Sequence, residues 1–276
     1  MIVSGARNIR HSMLIENESQ IRLIAFISVF AVMAIWEFIA PYRHQRFTKL
    51  QRWPHQFMLI IIDSVVLKLV FPIAAVGIAL WAASEGVGLL NQTPLDPWLT
   101  IPLSIVLLDL AIYGQHLVAH RWSWFWRIHR THHIDTDFDL TTGFRFHPIE
   151  MVISMLYKML IIILLGAPAF GVMLFEIILS GSSLFNHSNI VLPKRIEPII
   201  RGLLVTPEMH RIHHSTLPDE HNSNYGFFFS CWDRLFRSYS SQASNNDQTM
   251  PIGLEMMREP EDKRIDRILM IPFRRD

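Results

Sequence analysis

Residues 21–40, IRLIAFISVFAVMAIWEFIA, stay almost wholly apolar and stop at Pro41. At about 1.5 Å per residue a helix over this run covers roughly 30 Å, the depth of a bilayer's hydrocarbon core. Inside that core no water satisfies the backbone, so a continuous apolar run has to close its hydrogen bonds within itself as a helix. A second run spans about 57–84, carries Asp63 and Lys68, and is expected to kink at Pro72; a third covers about 98–115. Half of the chain is hydrophobic and 18% is charged, too apolar a balance for an ordinary soluble domain.

The next apolar stretch, about 149–185, is too long for one crossing and is interrupted by Gly166-Ala167-Pro168. Two short helices folded as a hairpin suit it, each a little under a full span, so full and partial insertion both stay open. The expected fold class is therefore all-α, a polytopic membrane bundle of four to five segments under a histidine-rich cap. One domain over 1–276 is expected: transmembrane segments (1–115), a first cap segment (116–148), the hairpin (149–185), a second cap segment (186–240) and a solvated polar tail (241–276). Residues 1–20 are mixed polar, with Glu16 and Glu18, and show no removable signal peptide.

Orientation follows from charge. The segment PYRHQRFTKLQRW carries Arg43, Arg46, Lys49 and Arg52, whereas no lysine or arginine occurs from Leu69 to His120. Positive segments stay cytoplasmic, which places 41–56 inside, 85–97 outside, and the end of the third run inside near His116. Arg7, Arg10 and Arg22 pull against an outside N-terminus. Net charge is +1, which suggests no nucleic-acid partner, and the single Cys231 excludes an internal disulfide, a thiolate-held zinc and a protein-borne iron–sulfur cluster.

Fourteen histidines are present, and their spacing carries the functional reading. His116 and His120 stand four apart on a predicted helix, hence on one face. His129, His132 and His133 form H-x2-HH, and His210, His213 and His214 repeat that spacing beyond the hairpin. Eight such ligands exceed one tetrahedral zinc and suit two ions sharing a site, with iron, zinc and copper all compatible with imidazole. A bis-histidine haem would use only two. Asp109, Asp135, Asp137, Asp139 and Glu150 are candidate acceptors for the far ring nitrogens.

HLVAHRWSWFWRIHRTHHIDTDFDLTTGFRFHPIE, NHSNI, TPEMHRIHHS and NSNYGFFFSCWDRLF resemble the fatty acid hydroxylase/sterol desaturase superfamily over roughly 105–237. The resemblance implies a helical membrane bundle whose histidines hold two iron ions, using O2 and external electrons to oxidise lipid C–H bonds on the cytosolic side of a cell inner membrane or the endoplasmic reticulum. Hydroxylation needs one hydrogen abstraction and is preferred over desaturation, which needs two. Sterol, fatty acyl and alkylglycerol lipids are the candidate substrates. The residues contain no cytochrome b5-like or ferredoxin-like segment, so a separate electron-transfer protein or small reductant is expected. The family can place an extra ligand where His187 stands, and His147 in RFHP reads as a positioning residue.

Other residues have plainer expectations. Arg145 and Asp233 suit local ion pairs or helix-end bonds; Trp122, Trp124 and Trp126 suit an interfacial aromatic belt. Asn224 and Tyr225 suggest a tight turn ending at Gly226 with positive φ. Lys68 is expected to pair with Asp63 or to sit near the headgroups. His11, His44 and His55 read as solvated, and His221 is left outside the ligand set. The rival classes are a histidine-rich metal transporter or sensor, which would put its ligands near mid-membrane, and a zinc hydrolase, which needs only three ligands and a water.

Overall fold

The computed structural model describes residues 14–15 and 17–274; Arg7, Arg10, His11 and Glu16 lie outside them. Among the described residues all named elements are helical, and β structure is limited to two isolated bridges, Leu204–Phe229 and Ser215–Ile252. The long helices are α1 (Glu18–Ile39), α2 (Lys49–Val70), α3 (Ala75–Ser84), α4 (Pro97–Arg121), α6 (Pro148–Leu165) and α7 (Ala169–Asn186). With α2 and α3 taken as one crossing, five segments among the described residues are long and apolar enough to span a membrane. Leu23, Ile24, Ile27, Ile35 and Phe38 of α1 stand exposed, an apolar face fit for lipid.

Local chemistry sets the boundaries. Pro97 and Pro148 open α4 and α6 at positions whose N–H would be unbonded anyway, after Asp96 and His147, whose side chains accept from Trp98 N and Ile149 N at 2.8 and 3.1 Å. α6 ends at Gly166 in the left-handed region (φ 63°), and α7 starts directly after Pro168, so the expected hairpin forms. Helix α2 begins at Lys49, eight residues before the apolar run, because Gln51 closes the first turn onto Thr48 N at 2.9 Å. The break expected at Pro72 separates α2 from α3.

Helix α7 packs against α1 and α4, while α6 packs against α2, α3 and α4. At the end holding loop 85–96 and the hairpin turn, Ala75, Ala79, Leu108, Ile162, Val172 and Phe175 form a dry core, and Leu89 N donates to Leu164 O. The opposite end carries the cap: α5 (Ser123–His133), α8 (Glu197–Leu203), α9 (Pro207–His213), α10 (Pro218–His221), α11 (Cys231–Leu235) and α12 (Ile265–Ile268). Glu37 at the end of α1 ties the two cap segments together, accepting from Leu140 N and Asn189 N at 2.8 Å each.

Two expectations change here, and of the two offered for Lys68 the pair with Asp63 falls away. The segment from 241 is no solvated tail. Met250 and Ile252 pack on Phe138, while Ile268 and Ile271 pack on Leu59 and Ile134, sealing the cap. Lys68 makes no pair with Asp63: it is exposed two residues from the end of α2, whereas Asp63 is buried. Arg52, counted among the loop charges, is 1% exposed beneath the cap.

Candidate metal centre

The nine candidate histidines come from four stretches of chain. His116 and His120 lie on the last turns of α4; His129, His132 and His133 end α5; His187 caps α7; His210 and His213 lie on α9, and His214 caps it. All are buried except His120, which is half-buried. Their ring nitrogens fall into two adjoining groups, each with its donor atoms within 4.8 Å of one another. One holds His116, His120, His129, His133 and His213; the other holds His132, His187, His210 and His214. The rings of His133 and His214 stack across the boundary with centroids 4.5 Å apart.

The tautomers these rings adopt leave lone pairs facing one another. His116 donates Nδ1–H to Tyr225 O (2.8 Å), His213 to Ser223 O (2.7 Å), His187 to Ser183 O (2.7 Å) and His132 to Arg145 O (3.3 Å). Each of these rings then turns an unprotonated Nε2 inward. Yet the Nε2 atoms of His116 and His213 lie 3.0 Å apart, those of His132 and His187 3.1 Å. Opposed lone pairs at that separation repel unless a cation sits between the rings. Donors about 2.0–2.1 Å from a divalent ion lie roughly 3 Å from their neighbours, so the spacing fits a metal. His129 Nε2, in the ring whose Nδ1–H goes to Glu150, and one of the two ring nitrogens of His214 are buried lone pairs without a protein partner, which fits a metal ligand.

Electrostatics prepare the cap rings for that role. Burial, followed by the neighbouring imidazoles, pushes His132, His133, His210, His213 and His214 well below the ordinary histidine range, and burial takes His187 to about 4. Neutral rings are the form that binds metal.

Of the five acids expected to hold far ring nitrogens, Glu150 alone does so, accepting from His129 Nδ1 at 2.7 Å. Asp109 instead accepts from Phe228 N, Phe229 N and Trp232 Nε1, anchoring the C-terminal cap segment to α4. Asp135 and Asp139 face Arg52 at 2.7 and 2.5 Å, and Asp137 takes Arg46 N and Phe47 N. The remaining acceptors are main-chain carbonyls, which carry no side-chain signature and so were invisible in the sequence.

His147 stands apart from both groups, capping α6 and donating from Nε2 to Leu269 O. His221 is likewise outside them, stacked on Trp126 at 5.4 Å. Trp126 thus packs beside His120 and His133, whereas Trp122 and Trp124 are half-exposed as a belt would be. Arg145 donates to Thr131 O rather than to a carboxylate. Asp233 accepts from Tyr225 N and Gly226 N at 2.8 Å each. The positive φ of that turn lies at Asn224 (52°), not at Gly226. Glycine is needed at 226 because a Cβ there would stand 2.7 Å from Asp233 Oδ2. His44 is exposed and His55 half-buried.

A cavity of about 370 Å³ opens beneath the histidines, between α1, α2, α4, α6 and α7. His116 and His129 form part of its roof, and Phe26, Ile60, Ile112, Met155 and Leu179 are among its apolar walls. Its size suits a lipid-sized ligand.

A family model described as fatty acid hydroxylase matches residues 101–238, half of the chain. An ornithine lipid hydroxylase from Rhizobium tropici is 30% identical over 148 residues, covering 52% of this chain and 44% of the relative. An alkylglycerol monooxygenase from Xenopus tropicalis is 29% identical over 152 residues, 54% of this chain and 32% of the relative. A Delta(7)-sterol 5(6)-desaturase from Leptosphaeria maculans is 27% identical over 243 residues, 84% and 62% respectively. The chain spans between about a third and three fifths of the length of these relatives. No solved structure gives a significant match. With all nine converging histidines inside the matched stretch, the chain belongs to the fatty acid hydroxylase family.

Proposed function

We propose that this protein is an O2-dependent lipid hydroxylase holding two iron ions. His116, His120, His129, His133 and His213 would hold one, and His132, His187, His210 and His214 the other. Bound iron supplies the reduction of oxygen to an oxidant able to take hydrogen from an unactivated C–H bond. The chain's own residues do the rest. Glu150 and the Tyr225, Ser223 and Ser183 carbonyls hold Nδ1–H protons and so aim Nε2 lone pairs inward. The apolar walls exclude water and orient a lipid with one carbon beneath the roof.

One observation carries the reading: two histidine groups sit directly above a cavity that lies among membrane-length helices. The relatives are named for hydroxylation of ornithine lipid, monooxygenation of alkylglycerol and desaturation of sterols, which supports a lipid substrate and oxidative chemistry. Hydroxylation is preferred because it takes one abstraction. Electrons would come from a separate carrier or small reductant, and the site would face the cytosol. A transporter would place its ligands near mid-membrane, and the position of these rings at the cap end speaks against it.

Metal analysis of the purified protein, joined to lipid profiling of cells expressing wild type or His132→Ala, tests the proposal. About two irons per chain, and an oxidised lipid lost in the variant, are expected. An unchanged lipid profile, together with reversible zinc loading, would refute it.

A further inference from the structure

The lower part of the cavity is not apolar. Arg22 of α1, Lys158 of α6 and Glu176 of α7 meet there, three charged side chains from three membrane-length helices. Lys158 Nζ donates to Glu176 Oε1 at 2.5 Å, and Arg22 lies 2.9 Å from Glu176 Oε2. Glu18 pairs with Arg22 from the other side at 3.2 Å. The four formal charges cancel, so the cluster has no need of a counterion. It does hold more donors than its acids use: an ammonium has three N–H groups and a guanidinium five, set against two carboxylates. Glu176 is 5% exposed, while a third of the Arg22 side chain remains exposed at the cavity's edge. Ionisable groups at such a depth are costly, and packing alone would be served better by apolar side chains.

We propose that Arg22, Lys158 and Glu176 form a subsite for a hydroxyl group of the lipid substrate, fixing which carbon reaches the histidines. A hydroxyl accepts from the spare N–H groups without adding charge to a balanced cluster. Eight residues of α6 separate Lys158 from Glu150, and eleven positions of chain separate Glu176 from His187, so the subsite lies about 12–16 Å below the metal-binding rings. The carbon oxidised is therefore remote from the hydroxyl that is read. This inference rests on the cavity taking a lipid, and it needs neither iron nor turnover to be tested.

Equilibrium binding of radiolabelled 1-hexadecanol, hexadecane and, at pH 8, palmitate to the purified detergent-solubilised full chain provides the test. Wild type should bind the alcohol about tenfold or more tightly than the alkane, the value of one hydrogen bond to a charged donor. Lys158→Met should abolish most of that preference and leave alkane affinity unchanged. Should that variant not fold, Lys158→Met/Glu176→Gln removes both charges of the deep pair and should show the same loss. Equal affinity for alcohol and alkane in wild type, or equal losses for both in the variants, overturns the subsite alone. Palmitate binding tighter than the alcohol replaces the neutral group by an anion and overturns the assignment. Binding of none of the three overturns the subsite together with the lipid-cavity reading, whereas absence of iron or of oxidised lipid bears only on the proposed function.

Discussion

Arg52 is the residue whose loss should be felt furthest from its own position. Its guanidinium, 1% exposed, donates from Nη1 to Asp139 Oδ2 (2.5 Å), from Nη2 to Asp135 Oδ2 (2.7 Å) and to Asp137 O (2.6 Å). Burial alone would raise the Asp135 and Asp139 carboxyls; the Arg52 charge, joined by Arg145 and Lys263 at Asp135 and by the Thr141 and Trp53 hydrogen bonds at Asp139, overcomes it and holds both below the ordinary range. Arg52→Met keeps most of the volume and strands two buried carboxylates. Removing one partner of a buried ion pair costs about 3–5 kcal/mol. In a chain of this size that is about 10 °C in apparent melting temperature. Because Asp135 follows His133 by two residues, metal retention should fall as well.

The sign of the pH dependence separates this reading from a simple packing defect. In wild type the two carboxyls titrate lower folded than unfolded. Their contribution is therefore complete above the unfolded value of about 4 and lost only as pH falls through the lower folded value. In Arg52→Met burial loses its largest single opponent and the folded values of both carboxyls rise. The penalty is then largest at neutral pH and shrinks as acid neutralises the carboxyls. Melting curves by circular dichroism at pH 7.5 and pH 5 should show a smaller gap between variant and wild type at pH 5. A gap under about 3 °C at pH 7.5, or one of equal size at both pH values, would refute the reasoning. Arg52→Lys should fall between the two, since an ammonium cannot bridge both carboxylates as the planar fork does.

Other perturbations follow from single contacts. Glu150→Ala removes the acceptor of His129 Nδ1–H and should weaken metal binding about 10–100-fold in chelator competition, with Glu150→Gln losing less. Gly226→Ala drives a Cβ against Asp233 Oδ2 and Val205, loosening the turn whose Tyr225 carbonyl aims His116; a loss of about 1–3 kcal/mol is expected by thermal melting, with reduced metal content. Asp63 Oδ1 is buried without a partner in the cavity wall, so Asp63→Leu should raise stability by about 1–3 kcal/mol. A fall would mean that the carboxyl is satisfied after all.

What could be read from the sequence was whatever depends on spacing along one element. Apolar run lengths gave the crossings, Gly166 and Pro168 the hairpin, and the three- and four-residue intervals the histidine faces. What escaped depends on contacts between distant segments. Arg52 reads as a loop charge until Asp135 and Asp139 arrive from the cap, and Ile268 reads as part of a tail until it meets Leu59 of α2. Glu37 looks like a stray acid in a membrane run, yet it closes main-chain donors from two cap segments. Gly226 reads as the left-handed residue of its turn, yet it is required by proximity to Asp233, and the left-handed residue is Asn224.

The H-x2-HH pattern carries more than a count of ligands. On a helix, residues four apart differ by about 40° in direction, whereas neighbours differ by about 100°. Accordingly the pairs His116/His120 and His129/His133 fall in one group and the pair His210/His214 in the other. The odd member of each triplet crosses over: His132 joins His210 and His214, and His213 joins His129 and His133. Two triplets so arranged interlock, and neither group can be completed by one cap segment alone. The eight box residues by themselves would divide five to three. His187 brings the smaller group to four, its Nε2 3.1 Å from that of His132 and 3.0 Å from that of His210. A His187→Ala variant should therefore lose metal from one group and retain it in the other, leaving about one ion per chain. Loss of both together, or of neither, would show that the two groups do not bind independently or that His187 is no ligand.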